Sequence, residues 1–176
     1  MGAPAIAGLF GFERKLVVGV GGLAVSNDQS LVLSTYSLGS CLAVTIYDPV
    51  CRAGGLLHAM LPDSSINPAR AAEQPGMFVD TGLPALFRAA YELRAQKHRV
   101  QICVAGGAQV LDARGFFNIG RRNCSTFKAL LEEHGLALRA EEVGGLVSRT
   151  VHLSLRTGEV RLKSSGETDE ITLFQG

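Results

Sequence analysis

The chain has 176 residues, 47% of them apolar and 19% charged, with a net charge of +1. That composition suits one globular domain with a sizeable core and excludes a disordered chain. It leaves no basic field for nucleic acid or an anionic membrane, and no stretch approaches the roughly 18 uninterrupted apolar residues of a membrane span.

The opening MGAPAIAGLF is apolar but carries no basic leader, which argues against a secretory signal and for a cytoplasmic protein. Residues 1–14 read as a flexible N-terminal segment, 15–163 as one domain, and 164–176 as a loose polar tail. Lys15 to Ser26 and Leu31 to Tyr36 read as strands, split by Asn27-Asp28. Cys41 to Asp48 (CLAVTIYD) is rich in β-branched residues and ends at Asp48-Pro49. Gly54 to Leu61 resumes the apolar pattern before Pro62. At Asp80 the period changes. Leu83, Leu86, Phe87, Ala90, Tyr91 and Leu93 follow helical spacing, with Asp80 or Thr81 as cap and Pro84 in the first turn. Val100 to Ala105 is a buried-type strand stopped by Gly106-Gly107. A second helix is expected from Cys124 to His134, with Asn123 as N-cap and Gly135 after its end. Leu136 to Arg139, Arg149 to Leu155 and Glu159 to Lys163 close the domain, the last two joined by the hairpin signal Arg156-Thr157-Gly158. The sum is an α+β fold: a layered mixed α/β domain whose β-rich core is flanked by about two main helices.

The four cysteines are Cys41, Cys51, Cys103 and Cys124. None has zinc spacing, and free thiols are the expectation. Cys41 ends the stretch TYSLGSC. If Pro49-Val50 form a two-residue loop, Cys41 falls directly opposite His58, with Cβ atoms about 4.5–5.5 Å apart. Ala43 and Thr45 share that face, while Leu42, Val44, Ile46 and Leu57 point the other way into the core. An imidazole beside a thiol favours the thiolate, and a Cys/His pair attacks acyl carbons to give a thioester that water cleaves. A third group fixes the histidine tautomer. Thr35 and Ser37 are candidates by chain position. The Leu38-Gly39-Ser40 turn lets N–H groups approach a reacting oxygen, as an oxyanion hole requires. Against this stands a packing reading. Free cysteine is among the most buried residue types, and a histidine on an apolar strand is more often a satisfied core group. The residues alone leave both readings open.

TYSLGSCLAVTIYDP followed by GGLLHAMLPD resembles the CheD family of bacterial chemotaxis proteins. The resemblance continues through Ala105-Gly106-Gly107-Ala108, Ile119-Gly120-Arg121-Arg122-Asn123, and Val143-Gly144-Gly145 with Arg149. It implies a chemoreceptor glutamine deamidase with Cys41 as nucleophile, His58 as general base and Thr35 as the third member of the triad. It implies a fold similar to the catalytic domain of the cytotoxic necrotizing factor toxins. It implies a substrate, the helical cytoplasmic part of methyl-accepting chemoreceptors, and no metal or organic cofactor. Each glutamine hydrolysed would become a glutamate that methylation can mask. Removal of receptor methyl esters and binding of a CheC-type phosphatase are further family properties.

Other motifs weigh less. Gly19-Val20-Gly21-Gly22-Leu23-Ala24 fits a dinucleotide fingerprint in form, but the β-like AVSNDQSLVLS follows it where a helix is required. Gly106-Gly107 reads as a tight turn, with a role in shaping the substrate groove as the alternative. Cys124, expected at a helix N-terminus, is the rival reactive thiol. Arg121 reads as solvated or as a contact for acidic receptor helices. Ser37 and Asn123 are further candidates for the groove or a partner surface. Phe116-Phe117 is read as core or as a partner surface. The competing functions are a non-catalytic receptor- or phosphatase-binding module and a thiol redox sensor using Cys41 or Cys51.

Overall fold

The computed structural model describes residues 13–110 and 114–176, so the expectation for the N-terminal segment falls almost wholly outside the described residues. One sheet is ordered β1 (Arg14–Val17), β3 (Leu31–Leu38), β8 (Arg149–Ser154), β9 (Val160–Ser164), β10 (Ile171–Phe174). The second is ordered β2 (Leu23–Ser26), β5 (Ala53–Ala59), β4 (Leu42–Asp48), β6 (Gln101–Gly106), β7 (Leu138–Val143). The pairs β1–β3 and β6–β7 are parallel and the rest antiparallel. Three helices complete the described chain: α1 (Pro68–Glu73), α2 (Val79–Glu92) and α3 (Ile119–Glu133). The α+β architecture with two long helices agrees with the reading of the sequence.

The layers follow from which faces are apolar. Leu33, Leu38, Val151 and Leu153 of the first sheet pack against Ala43, Leu56, Cys103 and Ala105 of the second. The opposite face of the second sheet, with Leu42, Val44, Ile46, Leu57 and Val104, packs against Leu83, Leu86 and Phe87 of α2 and Phe127 and Leu131 of α3. The order is therefore sheet, sheet, helices. Every residue of β4 is buried, Thr45 and Asp48 included, which is why its sequence shows no alternation of apolar and polar faces.

Four local expectations are corrected. Lys15 to Ser26 is not one strand. The chain leaves the first sheet after Val17, turns through Gly21 at φ 73°, and enters the second sheet at Leu23. A positive φ is a conformation glycine adopts at little cost. Helix α2 begins at Val79 with no side-chain cap, because the Asp80 carboxylate instead accepts the Ser64 N–H and hydroxyl. Helix α3 begins at Ile119, ahead of the Cys124 start expected from the sequence, so Asn123 lies inside it rather than capping it. Ile171–Phe174, within the segment read as a loose tail, pairs antiparallel with β9.

The β4–β5 hairpin register is also corrected. Leu42 pairs with Ala59, Ala43 with His58 and Asp48 with Ala53, so the loop holds Pro49, Val50, Cys51 and Arg52. Proline at the second turn position cannot adopt the positive φ of the primed turns that close two-residue hairpins. The longer loop instead ends on Arg52 at φ 54°, and Asp48 Oδ1 accepts the Val50 N–H at 2.9 Å. The shift is two residues, so each side chain keeps its face.

Asp48 anchors this corner. Its fully buried carboxylate accepts from Arg99 Nε and Nη2 and from the Gln96 N–H. Burial alone raises its pKa, but the Arg99 hydrogen bonds and the two backbone N–H groups outweigh it and bring it down from 3.8 to about 2. A carboxyl whose folded pKa is depressed contributes stability above its unfolded pKa and loses it as pH falls toward the folded value. Asp48→Ala removes the buried acceptor of the Arg99 guanidinium and of the Gln96 and Val50 N–H groups and is expected to cost about 2 kcal/mol, read as a lower urea midpoint at neutral pH. The difference from wild type should shrink between pH 4 and pH 2, the window in which the wild-type carboxylate itself becomes protonated.

Candidate active site

Thr35 and His58 come from different sheets, β3 and β5, and meet in the layer between them. Thr35 Oγ1 lies 2.7 Å from His58 Nδ1 and donates to the Val18 carbonyl, also at 2.7 Å. A hydroxyl has one proton. With that proton committed to Val18, Thr35 accepts from His58, and the hydrogen-bond network assigns the proton to Nδ1. Nε2 is then a free lone pair. It is buried and has no hydrogen-bond partner among the described residues. The main chain of His58 is anchored on the same turn, since Gly21 N–H donates to the His58 carbonyl at 2.7 Å and His58 N–H donates to the Gly22 carbonyl at 2.9 Å.

Cys41 immediately precedes β4 and is half-buried. Continuing the β4–β5 pairing by one residue sets Cys41 opposite Met60, with His58 as its diagonal neighbour on the same face. Diagonal neighbours sit about 7–8 Å apart, within reach of an imidazole. Burial pushes the Cys41 thiol up, with its own backbone N–H as the opposing influence. Burial pushes the His58 imidazole down, with the Val18 carbonyl opposing. Both shifts favour a resting pair of neutral thiol and neutral imidazole, not a preformed ion pair.

The turn before Cys41 is held by its carbonyls. Gly39 O accepts the Ala108 N–H at 2.8 Å, Cys41 O accepts the Gly107 N–H at 2.8 Å, and Ser40 O accepts Asn123 Nδ2 at 2.9 Å. The Ser40 and Cys41 N–H groups donate to no acceptor among the described residues. A Cβ on Gly106 would strike the Cys41 carbonyl, and one on Gly107 would meet Cys124 Sγ. The paired glycines thus allow the end of β6 to lie against the cysteine turn. Arg149 steadies the same strand ends, its Nη1 donating to Gly144 O at 2.7 Å and Gly106 O at 3.4 Å.

Ser37 is exposed and in the left-handed region at φ 57°, where β3 carries an extra residue against β8 between Thr35 and Leu38. A bulge of this kind re-aims the strand at its end. Ser37, Gly39, Ser40 and Cys41 line a cleft of about 550 Å³ with Gln109, Val110 and Phe117. Phe116 and Phe117 are 78% and 74% exposed, so they lie outside the core. Arg121 is exposed and lines a neighbouring hollow with Gly107 and Cys124. Cys124 lies in the second turn of α3, away from the helix start, and burial raises its pKa. Burial also lifts Cys103, to about 11.

Two features escaped the sequence reading. One is the Val18 carbonyl, whose role depends on a turn between sheets. The other is the burial of Asn123. A signal for it was present: Gly120, Asn123, Phe127 and Leu131, the buried residues of α3, recur at helical spacing.

The profile of the family described as CheD chemotactic sensory transduction matches residues 60–164. The chain belongs to this family. Among CheD relatives, a Syntrophus aciditrophicus protein named "Probable chemoreceptor glutamine deamidase CheD 1" is 46% identical over 86% of this chain and 94% of its own. A similarly named CheD protein of Solibacter usitatus is 42% identical, covering 90% of this chain and 94% of its own length. One of the archaeon Pyrococcus abyssi is 41% identical, covering 85% and 91%. CheD relatives thus match most of this chain, including the region of Thr35, Cys41 and His58 that the family profile leaves unmatched. No helix among the described residues is long and apolar enough to cross a membrane.

Proposed function

We propose that this protein is a cytoplasmic chemoreceptor glutamine deamidase that hydrolyses selected glutamine side chains to glutamate through a Cys41 thioester. The observation that carries the reading is the hydrogen bond from His58 Nδ1 to Thr35. It leaves a lone pair on Nε2, on the strand face that Cys41 shares. The names of the relatives supply the substrate class.

Cys41 Sγ attacks the carboxamide carbon while His58 Nε2 takes the thiol proton. The carbonyl oxygen gains charge as the tetrahedral intermediate forms, and the Ser40 and Cys41 N–H groups are the donors available to it. When the C–N bond breaks, His58 returns the proton to the leaving nitrogen and ammonia departs. Water, with its proton accepted by His58, then cleaves the thioester to give glutamate and the free thiol. Thr35 keeps the imidazole in the required tautomer throughout.

The test is incubation with the cytoplasmic fragment of a chemoreceptor from the same organism, followed by peptide mass spectrometry for the amide-to-acid change at glutamine. Binding without conversion would overturn the enzyme reading in favour of a receptor-binding regulator. Within the enzyme reading, Thr35→Val is expected to lower kcat about 100-fold with KM little changed, because the base loses its orienting acceptor. Thr35→Ser, which keeps the hydroxyl, should retain most of the rate.

A further inference from the structure

We propose that Asn123 is a positioning residue for the deamidation: it sets the direction of the Cys41 N–H and ties the cysteine turn to the strand end carrying His58. The proposal rests on the function read above and assigns to α3 a part in it.

The argument begins with burial. Asn123 is 0% exposed and sits on the face of α3 that meets the cysteine turn. Close approach is permitted by Gly120, one turn earlier, where any Cβ would collide with the Gly107 carbonyl. The Asn123 Nδ2 group then donates both its protons, one to Ser40 O at 2.9 Å and one to Met60 O at 3.0 Å. These carbonyls belong to the residue before Cys41 and the residue two after His58. Two carbonyl acceptors fix the amide's orientation, since only the NH2 end can donate.

The Ser40 carbonyl and the Cys41 N–H are the two ends of one trans peptide and point in opposite directions. Drawing the carbonyl toward α3 turns the N–H away from it. That N–H has no acceptor among the described residues. It is near enough to the cysteine's own sulfur to favour the thiolate. The remaining atom of the side chain shows what the arrangement sacrifices. Asn123 Oδ1 is buried with no hydrogen-bond partner in the described structure. Buried polar groups are nearly always paired. An apolar side chain of the same volume would fill the space without that cost but would hold neither carbonyl, whereas the Asn123 amide holds both.

The experiment compares wild type with Asn123→Ala and Asn123→Ser, serine retaining one donor, after circular dichroism and thermal melts have verified folding. The pH dependence of iodoacetamide alkylation at Cys41 is measured first, because it requires no receptor substrate. Loss of the Asn123 hold should move the Cys41 alkylation midpoint upward in Asn123→Ala, with Asn123→Ser between it and wild type. On receptor fragment, kcat should fall at least about tenfold, with KM within about twofold, as expected when an oxyanion donor is misdirected rather than substrate binding lost. An unchanged alkylation profile in a folded variant overturns the proposal, as does an unchanged kcat where wild type converts glutamine. If wild type converts no glutamine, the deamidase reading fails and the alkylation profile alone decides whether Asn123 positions Cys41. If Asn123→Ala does not fold, Asn123→Ser carries the same two measurements.

Discussion

Cys41→Ala is expected to abolish glutamine conversion, lowering the rate on the order of 10⁴-fold or more, because no other group replaces the attacking sulfur. The substitution removes one half-buried sulfur from a turn held by carbonyl contacts to Ala108, Gly107 and Asn123, none of which uses the thiol. Its stability cost should therefore stay below about 1 kcal/mol. Loss of activity can then be read as loss of chemistry, provided that the variant still binds receptor fragment with wild-type affinity. Conversion that persists in Cys41→Ala would exclude the assigned nucleophile. Cys124 is the thiol to test next, since it lines the hollow behind Gly107.

His58→Gln is expected to lower the rate about 10³-fold and to change the shape of the pH profile, which separates a lost base from a damaged fold. In wild type the acidic limb reports the imidazole. Burial depresses its pKa below 6.5, so activity should hold at neutral pH and fall only on acidification beyond that value. The base is needed because burial raises the Cys41 thiol and little thiolate exists at neutral pH. Without the imidazole, reaction requires free thiolate. The residual rate of His58→Gln should therefore climb steadily with pH past 9, the ordinary value of the thiol, with no acidic limb near that of wild type. A variant whose profile merely scales down, keeping the wild-type limb, would exclude His58 as the titrating base.

Much of the fold was legible because its elements obey local rules. The run CLAVTIYD reads as a buried strand, and Leu83, Leu86, Phe87 and Ala90 carry the helical period of α2 wherever the helix lies. Errors collected at ends and turns. Asn123 looked like a cap because asparagine favours caps, but its contacts with Ser40 and Met60 override that preference. The hairpin loop was read two residues too short because Asp48-Pro49 announces a turn but not its length. Lys15 to Ser26 read as one strand because Gly19-Val20-Gly21-Gly22 permits a turn but does not show that the chain changes sheets there. Cys41 and His58 were nameable from sequence, since the face of each strand depends only on alternation, and alternation survives a two-residue shift of register.

What the sequence by itself determined is therefore the set of main elements, which side chains share each face of β4 and β5, and that Cys41 and His58 fall on the same one. Only the tertiary structure decided which groups complete them. Thr35 reaches His58 because two sheets stack, and it accepts rather than donates because the Val18 carbonyl takes its proton. Asn123 reaches Ser40 and Met60 because a helix packs glycine-close against a strand end. These contacts join residues 17, 23, 63 and 83 positions apart. Periodicity constrains a residue relative to its near neighbours, and separations of this size close only when the layers pack.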